Sequence, residues 1–485
     1  DTIPGMIVPE KAAACSEDGW YRAECVPVKD VLSRGRFFYL LLVRFDVSEE
    51  IQGVSFMSNQ DYKFETLQLH AGQVIDETGA CTTPIYQATS YVFKDAKDAA
   101  AKFALQRPGN IYSRLTNPTT AVLDERIAKL EHGTAGITLA SGLAAVTAAI
   151  TNIAEAGDEI ISSSTVYGGT FNLINVTMRK MGIECTFVSP ACTEEELEAA
   201  FQPNTKAVFG ESISNPALIV LDFEKFANAA HRHGVPLIVD NTFPTPINCR
   251  PFQYGVDIVT HATTKYMDGH GSCVGGAIVD SGNFDWMAHA EKFPGLTTPD
   301  DSYHGVTYAK EFGKAAYITK ATAQLMRDFG STPAPINSWI MGMHLESLGV
   351  RMERHCANAL AVAKWLDADP RVSWVSFPGL ETDKYHALAE KYMPNGTCGV
   401  ISFGVPGGRE KVSAFLDHLK MVSIATHVAD ARSCTLYPAG TTHRQLTEEQ
   451  LEEAGVGIDL VRLSCGIENT ADIIADLDQA LAAVQ

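Results

Sequence analysis

The stretch AGITLASGLAAVTAAITNIAEAGDEIISS, residues 135–163, decides the fold that the sequence predicts. It begins and ends with short apolar segments, residues 135–139 and 159–162. The alanine-rich segment between them, residues 142–153, consists mostly of residues that favour a helix. Apolar strands that alternate with helices are typical of a parallel sheet covered by helices on both faces. We therefore predict a strand, a helix and a second, parallel strand.

The same alternation continues towards the middle of the chain. Further strands are predicted at 185–188, 207–210, 236–239 and 257–260, and helices at 170–181, 194–201 and 223–233. In a sheet of this kind, ligands bind outside the carboxyl ends of the strands. The polar residues of this region fall at those ends, so we expect a binding site there.

A second structural unit follows the first. A long helix is predicted at 337–367, with the outward-facing charged residues Glu346, Arg351, Glu353 and Arg354. Strands are predicted at 400–403 and 461–463, and a final helix at 470–484. A chain of 485 residues is long enough for two or three structural units.

The charge balance narrows the classes of partner. Lys and Arg number 38 against 58 Asp and Glu, a formal net charge of −20, which disfavours nucleic acid and anionic membranes. No segment approaches the ~20 apolar residues that a membrane-spanning helix needs. The 11 cysteines are scattered without a CxxC pair, which is typical of free thiols in a reducing compartment. We therefore predict a cytoplasmic protein with small-molecule substrates and neither a nucleic-acid nor a membrane partner.

A lysine follows one of the predicted strands, in the segment VTHATTKY, residues 259–266. Lys265 has small hydroxyl residues before it and several glycines after it, which leave room for a flat ring. A partly desolvated lysine forms Schiff bases with carbonyl cofactors, and a hydroxyl such as that of Thr264 can donate to a phosphate. A lysine after a strand is more often a solvated surface charge, so the assignment needs further support.

Two other strand ends supply that support. Asp240 ends the predicted strand 236–239, and the pyridinium nitrogen of pyridoxal phosphate (PLP) needs a carboxylate partner. Ser141 and Gly142 turn a strand directly into a helix, whose free N–H groups and dipole bind phosphate. Either feature alone has an ordinary explanation, since Asp is common in turns and Ser at helix N-termini. Together with Lys265 they favour a PLP site without a metal ion.

Ordered sequence blocks between residues 64 and 484 resemble the Cys/Met-metabolism family of PLP enzymes. The blocks are TLQLHAG (66–72), PIYQATS (84–90), YSRLTNPT (112–119), DNTF (240–243) and RLS (462–464). This family includes cystathionine synthases and lyases, methionine γ-lyase and O-acetylhomoserine sulfhydrylase. The resemblance implies an α/β protein of PLP-dependent transferase fold type I, with a mostly parallel, seven-stranded-like sheet and a smaller α+β C-terminal domain.

The implied domain organisation has four parts. Residues 116–315 form the large PLP-binding domain, and residues 316–485 form the C-terminal domain. Residues 57–115 form an N-terminal arm that contacts a neighbouring subunit. Residues 1–56 lack a sustained helical or strand period, so we expect them to be an extension outside the fold, with Met57 as the natural start.

The resemblance also implies a role for individual residues. Lys265 would hold the cofactor as a Schiff base and move protons, and Asp240 would pair with the pyridine nitrogen. Tyr167 would stack on the ring and take part in catalysis, and Asn215 would bond the phenolic oxygen and line the substrate site. The cofactor phosphate would be bound by Ser141, Gly142, Leu143 and Thr264, and by Tyr112 and Arg114 of a neighbouring subunit.

Two further assignments complete the implied site. Tyr112 would also assist departure of the leaving group. Arg462 would bind the substrate α-carboxylate, for which a planar guanidinium is well suited. The sequence departs from the family pattern at Ala262, where a phosphate-binding serine is common, so one contact to the cofactor is missing.

The choice within the family depends on three segments. The segment YGGTFN (167–172) lacks the cysteine of methionine γ-lyases, and residues 293–305 and 437–446 resemble O-acetylhomoserine sulfhydrylases. We therefore predict γ-replacement on O-acetylhomoserine by sulfide or methanethiol, giving homocysteine or methionine and acetate. The expected assembly is a homotetramer, a dimer of dimers with shared active sites.

Two alternatives remain open at this point. The first is a methionine or cystathionine γ-lyase of the same family, which eliminates the γ-substituent and releases ammonia and a keto acid. The second is a metal-dependent or non-catalytic α/β protein, with His261, Asp268 and His270 as ligands. The spacing of those three residues matches no standard metal site.

Overall fold

The computed structural model describes residues 62–442, 444, 447, 451 and 455–484. The predicted extension, residues 1–56, and the predicted start at Met57 lie outside these residues. So do parts of the segment 437–446 that was compared with O-acetylhomoserine sulfhydrylases.

The larger of the two sheets has seven strands, in the order β1-β7-β6-β5-β4-β2-β3. Its strands are Ala135–Leu139 (β1), Glu159–Ser163 (β2), Glu184–Val188 (β3), Thr205–Glu211 (β4), Leu237–Asp240 (β5), Ile258–His261 (β6) and Gly276–Asp280 (β7). Strands β2 to β6 pair in parallel, and β7 is antiparallel to β1 and β6. The central strands are buried except for the partly exposed Lys206 and Asp240, as expected for a sheet covered on both faces. The predicted mostly parallel sheet is confirmed.

Strand β7 was not predicted as a strand. Its glycine-rich approach suggests a loop, yet all five of its residues are buried between β1 and β6. A Cβ at Gly276 would lie 2.1 Å from the main-chain oxygen of Ser141. Glycine is therefore required here because two backbones approach each other closely.

Helices cover the sheet and build most of the remaining structure. They lie at Phe64–His70 (α1), Ala96–Phe103 (α2), Pro118–Leu130 (α3), Gly142–Thr151 (α4), Gly168–Asn172 (α5), Glu194–Ala200 (α6), Phe223–Arg232 (α7), Thr245–Asn248 (α8), Pro294–Thr297 (α9), Tyr308–Phe312 (α10), Ala316–Lys320 (α11), Arg327–Phe329 (α12), Pro335–Leu345 (α13), Leu348–Asp367 (α14), His386–Tyr392 (α15), Gly408–His418 (α16) and Thr470–Ala483 (α17). Shorter 3₁₀ and π turns lie at Leu173–Met178, Pro251–Tyr254, Asp301–Tyr303, Gly313–Ala315, Ala321–Met326 and Pro438–Gly440.

Local sequence explains where several helices begin. Ser141 caps α4 by accepting the N–H of Ala144 at 3.1 Å. Thr193 and Glu196 form a capping box at the start of α6. These side chains satisfy N–H groups that have no partner inside the helix. They fix the points at which the chain turns from a strand or loop into a helix.

A second sheet belongs to the C-terminal part of the chain. Its order is β10-β11-β12-β9-β8, with strands at Val375–Ser376 (β8), Val400–Gly404 (β9), Ser423–Ile424 (β10), Cys434–Leu436 (β11) and Leu460–Ser464 (β12). Helices α14, α16 and α17 contribute buried side chains to this part. The predicted strands at 400–403 and 461–463 and the predicted final helix are confirmed, whereas the domain boundaries stay predictions.

The long helix predicted at 337–367 was wrong in two respects. The chain breaks at Glu346 and Ser347, which separate α13 from α14. Arg351 does not face solvent, because it is 5% exposed and its guanidinium donates to the main-chain oxygens of Tyr266, Met267 and His344. Buried carbonyls at the helix break and beyond Lys265 need a donor, and Arg351 supplies it.

Candidate active site

The site begins at the carboxyl ends of three neighbouring parallel strands. Glu211 ends β4 and lies beside Asp240, which ends β5, while Asp240 lies beside Thr260 of β6. Lys265 follows β6 after a short turn in which its N–H donates to Ala262 O at 3.1 Å. The fold thus brings two carboxylates and an amine to one edge of the sheet, as expected from the strand pattern.

Lys265 is half-buried, and its charged form is disfavoured there. Burial lowers the pKa of its amine to about 8, and the nearby positive charge of Arg462 acts in the same direction. Cys434 opposes this effect. A lysine with such a pKa can both accept and donate a proton near neutral pH.

Asp240 is held by a threonine that also contacts the lysine turn. One carboxylate oxygen accepts the N–H of Thr242 at 3.0 Å and its hydroxyl, and that hydroxyl accepts the N–H of Ala262 at 2.8 Å. Burial raises the pKa of Asp240, and the bonds from Thr242 oppose the rise. Thr242 therefore ties the carboxylate to the chain that carries Lys265.

Tyr167 lies immediately before α5, with its side chain 46% exposed. Its main-chain N–H donates to Glu211 Oε1 at 2.6 Å. Burial, followed by the charge of Asp240, raises the pKa of Glu211 well above its ordinary value. The structure leaves an aromatic ring exposed while its backbone is fixed by a buried carboxyl group.

Arg462 enters the site from the second sheet, on β12, and is 5% exposed. Its Nη1 donates to Asn215 Oδ1 at 3.2 Å, and its Nη2 donates to the main-chain oxygens of Thr426 and His427. Among the described residues, Nε has no hydrogen-bond partner and no carboxylate forms an ion pair with the guanidinium. Burial lowers the pKa of Arg462 to about 10. A buried guanidinium of this kind has capacity for an external carboxylate.

The predicted phosphate-binding segment lies where β1 turns into α4. Ser141 is engaged as the helix cap, and Leu143 is exposed. A Cβ at Gly142 would lie 2.6 Å from the Cβ of Ala262, so the segment packs tightly on the lysine turn. The Thr264 hydroxyl accepts the N–H of Gly275 at 3.0 Å and donates to its main-chain oxygen at 3.1 Å.

Tyr112 and Arg114 do not join this group within the chain. The Arg114 guanidinium lies 5.4 Å from the Tyr112 ring centroid and donates to Arg327 O at 2.7 Å. Tyr112 is 42% exposed. Over the described part of the chain, no hydrogen bond or ion pair connects either residue with Lys265 or Asp240.

Three residues near the site were missed by the sequence analysis. Thr242 was noted only as a neighbour of Asp240, although a hydroxyl two residues after a strand-end aspartate is a common signal for an Asx-type turn. Glu211 ends an apolar strand and could have been found by the same argument as Asp240. His427 has no sequence signal, because it approaches Lys265 and Arg462 only through the folding of the second sheet.

The alternative metal site is not supported by the side-chain contacts. His261 bonds Glu131 at 2.6 Å, and Asp268 bonds Ser272 and His344. No group of three or more metal-binding side chains occurs among the described residues. Nor does any helix in the described ranges have the length and apolar character to cross a membrane.

These features agree with the requirements of PLP. The cofactor needs an amine for its aldehyde, an acid for its ring nitrogen and an aromatic surface for its ring. Lys265, Asp240 and Tyr167 offer these groups, and the unpartnered Nε of Arg462 remains for a substrate carboxylate. The fold and the donor set together define an α/β enzyme of the PLP-using class.

Comparison with known proteins identifies the family. The model of the Cys/Met metabolism PLP-dependent enzymes matches residues 65–482. The chain is 48% identical to a homocysteine synthase of Schizosaccharomyces pombe over 420 residues, which are 86% of this chain and 98% of that protein. It is 45% identical to an O-acetyl-L-homoserine sulfhydrylase of Leptospira meyeri, over 87% of this chain and 97% of the relative.

A solved structure agrees with this result. A crystal structure from Campylobacter jejuni, named as an O-acetylhomoserine (thiol)-lyase and containing a pyridoxyl-lysine monophosphate, superposes with a TM-score of 0.84. It is 39% identical and covers 87% of this chain and 100% of its own. The chain belongs to the family of Cys/Met metabolism PLP-dependent enzymes.

Proposed function

We propose that the chain is an O-acetylhomoserine sulfhydrylase. It replaces the acetate of O-acetyl-L-homoserine by sulfide or methanethiol, giving homocysteine or methionine. The relatives named as homocysteine synthases and O-acetyl-L-homoserine sulfhydrylases support this activity, since they match almost over their whole length.

The observation that carries the proposal is that Arg462 lies near Lys265. A guanidinium without an ion-pair partner among the described residues lies close enough to the lysine amine to lower its pKa. An amino-acid substrate bound through its α-carboxylate at Arg462 would have its α-carbon next to that amine. This geometry suits proton removal at the α-carbon of an amino acid.

The chain's own residues perform the remaining tasks. When bound, PLP supplies a ring that accepts electrons from the substrate α-carbon. Asp240 would hold the ring nitrogen of the bound cofactor through its negative charge, and Tyr167 would hold the ring by stacking. Lys265 takes the α-proton and returns protons after departure of acetate, while Arg462 and Asn215 hold the carboxylate end of the substrate in place.

Steady-state assays test the reaction directly. Purified protein should form homocysteine from O-acetylhomoserine and sulfide, and methionine when methanethiol is the thiol. O-succinylhomoserine measures the preference for the acyl group. If methionine alone releases a keto acid faster than any thiol-dependent reaction proceeds, the protein is a γ-lyase and the proposal is wrong.

Lys265→Ala provides the second test of the same proposal. The variant should lose turnover and the visible absorbance of bound PLP, because no amine remains to form the imine. Its circular dichroism should match that of the wild type, since the side chain is half-buried and its amine makes no hydrogen bond to another residue in the described part of the chain. Full activity of the variant would refute the role of Lys265.

We further propose that Tyr112 and Arg114 complete the active site of a neighbouring subunit, in a dimer-of-dimers tetramer. The exposed apolar side chains of the N-terminal arm, Val74, Ile75 and Val92, support an interface there. The nine described cysteines are all free thiols, which supports a reducing compartment, the cytoplasm.

A further inference from the structure

The main-chain N–H groups of Tyr167 and Asn215, both with proposed cofactor roles, face one carboxyl group, that of Glu211. Glu211 ends β4 and is 9% exposed. Its Oε1 accepts the main-chain N–H of Tyr167 at 2.6 Å. The main-chain N–H of Asn215 faces the same carboxyl group and, like that of Tyr167, opposes the rise of its pKa. A single side chain thus contacts the backbones of the predicted ring-stacking residue and of the predicted partner of the phenolic oxygen.

We infer that Glu211 is a positioning residue, whose carboxyl group sets the backbone of Tyr167 against that of Asn215 and so fixes the width of the cofactor slot. The inference rests on the proposed cofactor roles of Tyr167 and Asn215. Glu211 does not need to touch the cofactor for this purpose.

The local structure explains why a carboxyl group is needed. Tyr167 precedes α5, which has only five residues, and no side chain caps that helix. Asn215 precedes Pro216 in a loop between β4 and α7. Neither backbone is held by a strand ladder at these points, so the acceptor oxygens of Glu211 provide a contact that both segments share.

The acceptor function does not require a negative charge. Asp240 lies directly beside Glu211 in the strand register. Two neighbouring buried carboxyl groups are not readily both ionised, because their negative charges repel each other. Burial and the charge of Asp240 raise the pKa of Glu211. A neutral carboxyl group still accepts N–H bonds through its carbonyl oxygen, and it leaves Asp240 as the anion beside the ring.

This arrangement predicts that the PLP affinity of a Glu211 variant depends on whether the new side chain keeps a hydrogen-bond acceptor. Glu211→Gln retains a neutral acceptor of the same shape, whereas Glu211→Leu keeps a similar buried volume without any acceptor. Glu211→Ala serves as a second acceptor-free variant if Glu211→Leu does not fold. The matched control is Glu159→Leu, because Glu159 is also a buried carboxylate of this sheet, bonded to Thr186 and Thr205 at the start of β2.

The readout is the dissociation constant of PLP for the cofactor-free protein, with visible circular dichroism of the bound PLP as a measure of ring orientation. Glu211→Leu should bind PLP at least about tenfold more weakly and show altered circular dichroism. Glu211→Gln should bind within about threefold of the wild type, and Glu159→Leu should lower thermal stability without weakening PLP binding.

Two results would overturn the inference. One is an unchanged PLP affinity and dichroism in both acceptor-free variants. The other is a Glu211→Gln variant as defective as Glu211→Leu, which would mean that the charge of Glu211 matters rather than its acceptor. Tyr167→Ala separates this failure from that of the proposed function: if it binds PLP like the wild type, Tyr167 does not contact the ring.

Discussion

The surroundings of Lys265 in the fold change the ionisation of its amine. Burial and Arg462 lower its pKa from 10.5 to about 8. Arg462, the proposed carboxylate-binding group, therefore also helps to lower the pKa of the proposed base. A carboxylate bound at Arg462 would offset that positive charge, so we expect the pKa of Lys265 to depend on substrate.

The lowered pKa predicts a pH-dependent stability of the cofactor-free protein. Lys265 binds fewer protons in the folded protein than in the unfolded chain between pH about 8 and 10.5. Its contribution to the free energy of unfolding therefore rises with pH across this window and is at its minimum below pH 8. Urea unfolding of the wild type and of Lys265→Met at several pH values measures it. The difference between the two proteins should shrink as pH rises, and a constant difference would contradict the assignment.

Arg462 supplies a second prediction at the residue scale. Arg462→Lys keeps the charge but removes the planar pair of donors that a carboxylate matches. The KM for O-acetylhomoserine should rise at least about tenfold, which corresponds to ~1.4 kcal/mol. Arg232→Lys is the control, because Arg232 is half exposed, pairs with Glu198 and ends α7 before β5 begins, whereas the site lies at the carboxyl end of β5. Equal KM values in both variants would exclude Arg462 from substrate binding.

Among the elements, the junction of α13 and α14 is linked directly to the turn that carries Lys265. Arg351 at the start of α14 donates to Tyr266 O at 2.6 Å and to Met267 O at 3.3 Å, directly after Lys265. It also donates to His344 O at 2.9 Å across the break between the helices. One buried side chain therefore joins a helix break to the lysine turn.

Replacement of Arg351 should destabilise the fold. Arg351→Ala leaves buried carbonyls without donors and should lower the free energy of unfolding by about 2–4 kcal/mol. Arg354→Ala removes an exposed arginine from the same helix and should change it by less than about 0.5 kcal/mol. Denaturant unfolding of both variants provides the measurement. A similar small effect for both would show that Arg351 is not a structural link.

The strands were easier to predict from the sequence than the contacts between residues that are far apart in the chain. Residues 135–139, 159–162 and 207–210 consist mostly of apolar residues without a polar residue at every second position, so burial on both faces was visible in the sequence. Strand β7 follows a run of glycines and could be recognised only from its place between β1 and β6. Arg351 was assigned to solvent because charged residues usually are, and its acceptors lie 85 and 84 residues away in the chain.

Some residues of the candidate site could likewise be predicted from the sequence, and others could not. Lys265 and Asp240 follow recognisable strands, and family resemblance added Tyr167, Asn215 and Arg462. Their roles stay predictions until the variants are measured. Glu211 was missed although it ends an apolar strand as Asp240 does, and its contact with Asp240 could be recognised only once the strand order was known.

For the whole molecule, the proposed arm that contains Tyr112 and Arg114 is the part of the chain that we expect to act in a neighbouring subunit. Both side chains are exposed, and the Arg114 guanidinium lies over the Tyr112 ring, donates to the Arg327 oxygen and interacts electrostatically with Asp328. A phosphate from a neighbouring subunit would be a stronger partner for this guanidinium than a carbonyl.

Arg114→Ala tests the shared site. The variant should lose PLP on dialysis faster than the wild type and should have a PLP dissociation constant raised by at least about tenfold. Arg107→Ala is the control, since Arg107 is an exposed arginine of the same arm that pairs with Asp98. Sedimentation of each protein reports the assembly. Unchanged PLP retention in Arg114→Ala would contradict an intersubunit phosphate site.

The threonine hydroxyl between β5 and β6 has a consequence for how defects combine. Thr242 accepts from the lysine turn and donates to Asp240, so a disturbance of either strand end is transmitted to the other. Losses caused by Thr242→Val and Asp240→Asn should therefore overlap instead of adding, as in any pair of residues that share a bond. The effect of a substitution at either position therefore depends on which residue occupies the other.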